Sequence, residues 1–244
     1  MLQTLMDEAP RFFGYYNLLF LARAFLYTAV LSLVGCGVGF AAGFVLAILR
    51  HPRLMPLAPV RWVATLYVEI FRRIPFLVLL MCVFFALQLL VPSISMFTIA
   101  ATTVALSAAA YSAENVRAGL EGIHRNQWDA AETMNMGGLK ALRLVILPQA
   151  WSIIIPPSMT YSVGLVKSTS IASQIGVVEL TYAAKVLNTK GFSAAISFGT
   201  ILILYFVLCY GLNAFASYLE RHLGKRRRPG ETSRPALLPA SQTV

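Results

Sequence analysis

The polar side chains that interrupt the long apolar segments of this chain are the residues that could do chemistry. Glu114 follows a 40-residue segment, Ile74 to Ala113, that contains no Asp, Glu, Lys or Arg. An ionisable group in or beside a membrane span is energetically costly and by default indicates function. Ser107, Tyr111 and Glu114 share one face at helical spacing and could line a polar path. The sequence favours a plainer alternative, in which Glu114 pairs with Arg117 and only closes the helix.

A second group of polar side chains follows the apolar segment Leu144 to Val166. Lys167, Ser168 and Thr169 begin a connecting segment that runs to Lys190. Their ammonium and hydroxyl groups could contact a polar solute, or they could cap the end of the preceding helix. The residues alone do not separate these two interpretations.

A third polar segment, Arg117 to Arg143, is 27 residues long and predicts a helix, a break and a second helix. Asn126 is predicted to cap the first helix, with Asp129 at its third position accepting from free backbone N–H groups. Asn135 to Gly138 predicts the break, because Asn and Gly tolerate left-handed backbone. The second helix is predicted from about Leu139.

This third segment also has the features of a docking loop. The second helix continues into the next apolar segment at Leu147 and Pro148, and the first carries adjacent small residues, Ala130 and Ala131. Small side chains let the backbone of another protein approach closely. The alternative is a re-entrant element that packs only against its own chain.

The composition indicates that the bilayer surrounds most of the chain. Hydrophobic residues make up 58% and charged residues 12%, against roughly 25% charged in soluble domains. Four segments lack any charged residue: Ala24 to Leu49, Ile74 to Ala113, Leu144 to Val166 and Gly191 to Leu219. A Pro92-Ser93-Ile94-Ser95 turn divides the second of them into two spans. A spanning helix needs about 20 apolar residues. The sequence therefore predicts an all-α integral membrane protein with five transmembrane helices.

The distribution of positive charge predicts the orientation of these spans. With a cytoplasmic C-terminus, the inner side carries 15 of the 20 Lys and Arg residues and the outer side carries 5. Cytoplasmic loops show this bias in membrane proteins. The N-terminus is therefore predicted outside, and the net charge of +10 indicates anionic lipid, and no nucleic acid, as the partner of the basic residues.

Three regions follow from these spans. Residues 1–23 are predicted to be a periplasmic or interfacial segment, residues 24–220 the membrane domain, and residues 221–244 a cytoplasmic tail. The tail begins with the basic cluster Lys225-Arg226-Arg227-Arg228, interpreted as a topology anchor, and its Pro-, Ser- and Thr-rich remainder is predicted to be disordered. Within the membrane domain, Val60 to Pro75 mixes charged and aromatic residues, which predicts either a helix at the inner interface or an ordinary lead-in to the second span.

Cys36, Cys82 and Cys209 all lie inside predicted spans, far apart in sequence. They are interpreted as packing residues, so that neither a disulfide nor a metal site is expected.

Four motifs carry a resemblance to a known family. In the polar loop, Asp129-Ala-Ala131 is followed after three residues by Asn135. Nine further residues separate Asn135 from Val145, and one residue separates Val145 from Leu147-Pro148. Tyr111-Ser-Ala-Glu-Asn-Val-Arg117 precedes it, Tyr67-Val-Glu-Ile-Phe-Arg-Arg-Ile-Pro75 stands before the second span, and Lys167-Ser-Thr-Ser-Ile171 follows the fourth. In this order they resemble the permease subunits of binding-protein-dependent ABC importers, in the histidine, glutamine and arginine branch for polar amino acids.

The family's loop pattern is Glu-Ala-Ala, three residues, Gly, nine residues, Ile, one residue, Leu-Pro. Asp129 thus stands for the Glu and Asn135 for the Gly. Elsewhere His124 and Asn126 stand where the family has Pro and Gly, Arg73 where it has Gly, and Ser168 where it has an acid.

The resemblance implies a cytoplasmic coupling loop, at about residues 117–146, that inserts into a groove on a separate ATPase. Carried over residue by residue, it assigns the docking surface to Asp129, Ala130, Ala131, Asn135 and Gly137, and the exit into the fourth span to Leu147 and Pro148. It further implies a substrate path, for which the candidate polar side chains are Tyr111, Glu114, Ser162, Lys167, Ser168 and Thr169.

The same resemblance implies the partners. They are an ABC ATPase dimer, a second permease chain, alike or different, and a periplasmic or lipid-anchored solute-binding protein, all at the cytoplasmic membrane of a bacterium. This chain contains no G-x-x-x-x-G-K-[ST] phosphate loop. It is therefore expected to be a transport subunit with no catalytic residue and no cofactor of its own, ATP and Mg²⁺ being bound by the ATPase.

Two other functions compete with this interpretation. A subunit of a secondary transporter or channel would need coupling-ion sites or inverted repeats, and no convincing repeat is seen. An intramembrane hydrolase would need a Ser/His pair, whereas His51, His124 and His222 all fall in predicted inner loops or the tail. Dependence on a separate ATPase distinguishes the importer from both.

Overall fold

The computed structural model describes residues 8–224. The α-helices of the main body are α1 (Tyr15–Arg50), α2 (Ala58–Arg73), α3 (Phe76–Leu90), α4 (Met96–Glu121), α5 (Arg125–Thr133), α6 (Gly138–Ala141), α7 (Leu147–Ser168), α8 (Leu180–Thr189) and α9 (Ala194–Gly224). A π-helical turn, Leu142–Ile146, joins α6 to α7, and a 3₁₀ helix, Thr169–Ile175, follows α7. No strand occurs within the described range, which agrees with the predicted all-α class. The predicted basic cluster at 225–228 and the tail beyond it lie outside that range.

The predicted spans correspond to helices that are long and apolar enough to cross a bilayer. Four such segments are Tyr15–Arg50, Met96–Glu121, Gly138–Ile175 and Ala194–His222, and the pair α2 and α3, bent by 115°, makes the fifth if it counts as one span. The turn predicted at Pro92 to Ser95 is confirmed, since α3 ends at Leu90 and α4 begins at Met96. The first helix begins earlier than the predicted span, at Tyr15, because one exposed arginine, Arg23, does not interrupt it.

The segment between the first two spans is a helix of its own, and it packs against the bundle. The helix α2 ends where Ile74 takes up an extended backbone before Pro75, a residue that disfavours helix in its predecessor. Tyr67 on α2 donates a hydrogen bond to the Leu106 carbonyl of α4, at 3.0 Å. Trp62, on another face of α2, is 66% exposed. The helix therefore leaves an apolar face uncovered where it crosses α4.

The helices α1 and α4 approach each other closely along a row of glycines. Gly35, Gly39 and Gly43 are spaced four residues apart on α1, and all three are buried. A Cβ atom built on Gly43 would lie 2.5 Å from the Ala109 carbonyl oxygen, and one on Gly39 would lie 2.8 Å from the Ala105 carbonyl oxygen. Small residues at this spacing let membrane helices pack backbone to backbone. The pair α1 and α4 thus forms the centre of the bundle.

One end of the bundle, here called the charged end, brings together the last turns of α1 and α4 with α5 and α6. A buried apolar cluster joins these elements to the start of α7 through Ala47, Val116, Trp128, Ala131, Leu142 and Ile146. The polar loop is therefore held in a fixed position against the membrane helices.

Candidate coupling site

The first helix of the polar loop begins two residues earlier than predicted, at Arg125. His124 has an extended backbone, and its ring nitrogen Nδ1 accepts from the Asn126 N–H at 3.3 Å, so His124 is the cap. The prediction that Asn126 caps this helix was wrong. Asp129 is consequently the fifth helical residue, beyond the free N–H groups of the first turn, and its carboxylate instead pairs with Arg53 at 2.9 Å.

The predicted break after α5 is confirmed, and Asn135 makes it. Asn135 has φ 56°, in the left-handed region that Asn tolerates. The Met136 N–H reaches back to the Ala131 carbonyl, and the Asn135 N–H bonds to the Glu132 carbonyl, which together form a Schellman motif. Gly137 has an ordinary φ of −62°. The asparagine that stands for the family's glycine thus keeps the turn that a glycine would make.

The two faces of α5 differ sharply in exposure. Trp128 and Ala131 are buried against the bundle, with Ala131 only 2% exposed, so its side chain is directed into the permease's own core. Ala130 and Asn135 lie on the exposed side, as does Met134, which is 70% exposed. Across the break, Leu139 is 67% exposed. An apolar surface therefore remains open at the charged end.

The exit into α7 lies beside α5. Leu147 is half-buried and Pro148 is exposed. The next residue, Gln149, donates from Nε2 to the Gln127 Oε1 at 3.2 Å and to the Val145 carbonyl at 2.8 Å. These bonds hold the start of α7 against the first helix of the loop.

Glu114 lies at the charged end among three arginines. It pairs with Arg117 on its own helix, as the sequence favours. In addition, Arg50 from α1 lies 3.0 Å away and Arg72 from α2 lies 3.5 Å away, so the acid does more than close its own helix. The Arg50 side chain is only 9% exposed and the Glu114 side chain 20%. The carboxylate thus joins three helices through charges that are largely removed from water.

Of the candidate path residues, Tyr111 and Glu114 lie on one side of α4, and the others lie in two different parts of the bundle. Tyr111 stacks on Tyr161 of α7 with ring centroids 4.1 Å apart, and its hydroxyl donates to the Arg72 carbonyl at 3.1 Å. Ser107 shares this site, since its hydroxyl lies 2.9 Å from the Tyr161 hydroxyl. Ser107, Tyr111 and Glu114 therefore do lie along one side of α4, facing α2 and α7.

The remaining candidates lie elsewhere. Ser162 lines a separate cavity of about 320 Å³ between α1, α7 and α9, and its hydroxyl donates to the Ser158 carbonyl. Lys167, Ser168 and Thr169 are at the opposite end of the bundle. Thr169 is fully buried and donates to the Val166 carbonyl, while Ser168 donates to the Gly164 carbonyl and Lys167 is exposed.

A comparison with known protein families shows which family the chain belongs to. The family described as "binding-protein-dependent transport system inner membrane component" matches residues 39–227, which include every helix from α2 to α9. The chain belongs to this family.

Individual relatives of the permease agree with that assignment. It is 30% identical over 195 residues to a probable amino-acid ABC transporter permease protein, YckA, of Bacillus subtilis (strain 168), covering 80% of this chain and 85% of the relative. It is 32% identical to the probable amino-acid ABC transporter permease protein PatM of Vibrio harveyi, covering 73% and 81%.

Solved structures match over most of the fold. The permease superimposes on a chain from a crystal structure of an amino acid ABC transporter with histidines, with a TM-score of 0.76 and 26% identity, covering 85% of this chain and 95% of that one. A chain of the inward-facing MetNI methionine ABC transporter gives the same TM-score at 22% identity, which shows a shared fold.

Sequence reasoning missed one buried acid of the permease. Glu179 is fully buried, and its carboxylate accepts from the Thr181 and Tyr182 N–H groups, at 2.9 and 2.7 Å, and from the Tyr205 hydroxyl at 2.6 Å. Burial raises the pKa of this carboxyl, against the lowering effect of these hydrogen bonds. An acid directly before a helical stretch, Glu179-Leu-Thr-Tyr, is a cap signal that the sequence does contain.

Proposed function

We propose that this permease is the membrane subunit of an ATP-driven importer that carries a polar amino acid from a solute-binding protein into the cytoplasm. The amino-acid transporters among its relatives support the solute class. The importer would contain two permease chains and two ATPases. The observation that carries the proposal is the open apolar surface at the charged end, beside the helix break of the coupling motif.

The positive charges support a cytoplasmic location for the charged end. Arg50, Arg53, Arg72, Arg117 and Arg125 are among the positive residues there, whereas the opposite end has Arg11, Arg23, Lys167, Lys185 and Lys190. Positive residues concentrate on the cytoplasmic side of membrane proteins. This orientation places the coupling loop where a cytoplasmic ATPase can reach it and leaves the N-terminus outside.

The exposed side chains suggest how an ATPase would dock. Met134 and Leu139 stand on either side of the break, and Ala130 lies one helical turn before Met134. Apolar side chains at the centre of an interface provide much of its binding energy once water is excluded. We assign the docking contact to these three residues with Asn135 and Gly137. Ala131 instead packs against the permease's own core, and Asp129 pairs with Arg53.

A second permease chain is proposed because one chain leaves much apolar surface open. Only 17% of the apolar window of the last span is buried. Lipid and a second chain would cover this surface. The polar site of Ser107, Tyr111 and Tyr161, between α4 and α7, is our candidate for the part of each chain that a polar solute passes.

Replacing Met134 by glutamate is expected to weaken ATPase binding, because an unpaired carboxylate buried in an interface costs about 2 kcal/mol or more. The amount of ATPase that co-purifies with the tagged permease should therefore fall at least about 30-fold. Met134 is exposed, so the change leaves the permease fold intact. The measurement is mass-spectrometric quantification of ATPase after extraction of native membranes in mild detergent.

Two other variants sharpen this test. Met134→Leu keeps the apolar contact and should retain the ATPase. Ala131→Glu places a charge in the permease core and should reduce the yield of folded permease itself. If the wild type retains no ATPase under conditions that preserve other membrane complexes, the importer proposal is wrong and a channel or secondary transporter becomes the better hypothesis.

A further inference from the structure

The loop that follows the first span contacts the coupling helix α5 through both exposed and buried side chains. Arg53 in this loop pairs with Asp129 at 2.9 Å and lies 3.9 Å from Glu132, one helical turn further along α5. Its guanidinium carbon is 5.8 Å from the centroid of the Trp128 ring, within the range of a cation–π contact. One arginine thus contacts three side chains of the coupling helix.

Neighbouring residues of the same loop add apolar contacts. The His51 ring stacks on Trp128, with centroids 4.9 Å apart and planes 20° from parallel. Burial lowers the pKa of His51, which favours the uncharged ring in this stack. A Cβ atom on Gly138 would lie 3.0 Å from the Arg53 carbonyl oxygen and 3.4 Å from Leu54. The loop therefore touches the coupling motif on both sides of its break.

The other side of this loop is fixed to the membrane helices. Arg50, the last residue of α1, pairs with Glu114 of α4 at 3.0 Å. The α1 helix is itself packed on α4 through buried glycines. Two arginines three residues apart thus connect the coupling helix to the first and third spans, in addition to the covalent connection into α7.

We propose that the segment from Arg50 to Leu54 transmits the displacement of the coupling helix to the first and third spans, with Arg53 as the positioning residue. This inference rests on the proposed importer function. The ion pair and the aromatic stack make the coupling helix and the inner end of α1 move together. Without them, only the buried apolar cluster and the covalent connection into α7 would link α5 to the bundle, and less of its displacement would reach α1 and α4.

The test compares solute taken up per ATP hydrolysed by the complete transporter in proteoliposomes. The probe is whichever of radiolabelled glutamine, cystine, histidine and arginine the wild-type complex takes up. In Arg53→Ala we expect ATP hydrolysis to stay within about twofold of wild type while uptake per ATP falls about fivefold, the scale of a typical coupling between sites. The control is Arg73→Ala, which removes an arginine that is 78% exposed and pairs within its own helix, and should leave the ratio unchanged.

The outcomes show whether Arg53 transmits the displacement of the coupling helix or has another role. An unchanged uptake per ATP in Arg53→Ala overturns the inference, as does a loss of bound ATPase, which would make Arg53 a docking residue. If the Arg53→Ala permease itself does not fold, Arg53→Gln keeps most of the side-chain length without the charge, and its uptake per ATP should fall at least about twofold. Absence of ATP-dependent uptake by the wild type would instead refute the proposed function.

Discussion

Replacing Gly39 by leucine is expected to destabilise the permease strongly. A side chain at this position meets the Ala105 carbonyl oxygen, the Ala109 nitrogen and the Ala108 methyl group of α4. Two of these are backbone atoms, which cannot rotate away, so the two helices would have to separate. The expected cost is about 3 kcal/mol or more, a large fraction of the 5–15 kcal/mol that stabilises a typical protein.

A glycine on another face of the same helix provides the control. Gly37 has no atom within 4 Å of an added Cβ. Gly37→Leu should therefore be produced at wild-type level, whereas Gly39→Leu should give little monodisperse permease on size exclusion, or a midpoint of thermal unfolding lower by about 10 °C. Equal stability of the two leucine variants would show that α1 and α4 are not packed backbone to backbone.

The spans and the helix break could be predicted from sequence because short-range patterns determine them. An uncharged run long enough to cross the bilayer can only be satisfied as a helix, and the Pro92 to Ser95 turn and the Asn135 break occur where predicted. The cap of α5 could not be predicted in the same way. His124 rarely serves as a cap, and Asn126 is a better one by residue type.

The contacts that hold the candidate site escaped prediction because their residues are far apart in the chain. Arg50 and Glu114 are separated by 64 residues, and Arg53 and Asp129 by 76. No local pattern marks such partners. The sequence motif also assigned Ala131 to a docking surface without indicating which way it faces, and the side chain packs inward. By contrast, Gly35, Gly39 and Gly43 are a visible signal of close helix packing that the sequence analysis did not use.

Replacing Glu114 by alanine is expected to destabilise the permease by about 3 kcal/mol, because removal of one partner leaves buried charge uncompensated. Arg50 loses the carboxylate that it donates to, and its side chain is only 9% exposed. Arg72 and Arg117 lose the same partner but are about a third exposed, so water offsets part of their loss. Three like charges would then face one another where α1, α2 and α4 meet at the charged end.

The measurement is the midpoint of thermal unfolding of the detergent-solubilised permease, which should fall by about 10 °C in Glu114→Ala. Glu69→Ala is the matched control, since that carboxylate is 41% exposed and pairs with Arg73 on its own helix, so its removal should leave the midpoint nearly unchanged. The double variant Arg50→Gln, Glu114→Gln removes the most buried charge together with its partner and should recover part of the stability. If Glu114→Ala and Glu69→Ala unfold at the same temperature, water already compensates the arginines, and the three helices are held at this end by apolar packing alone.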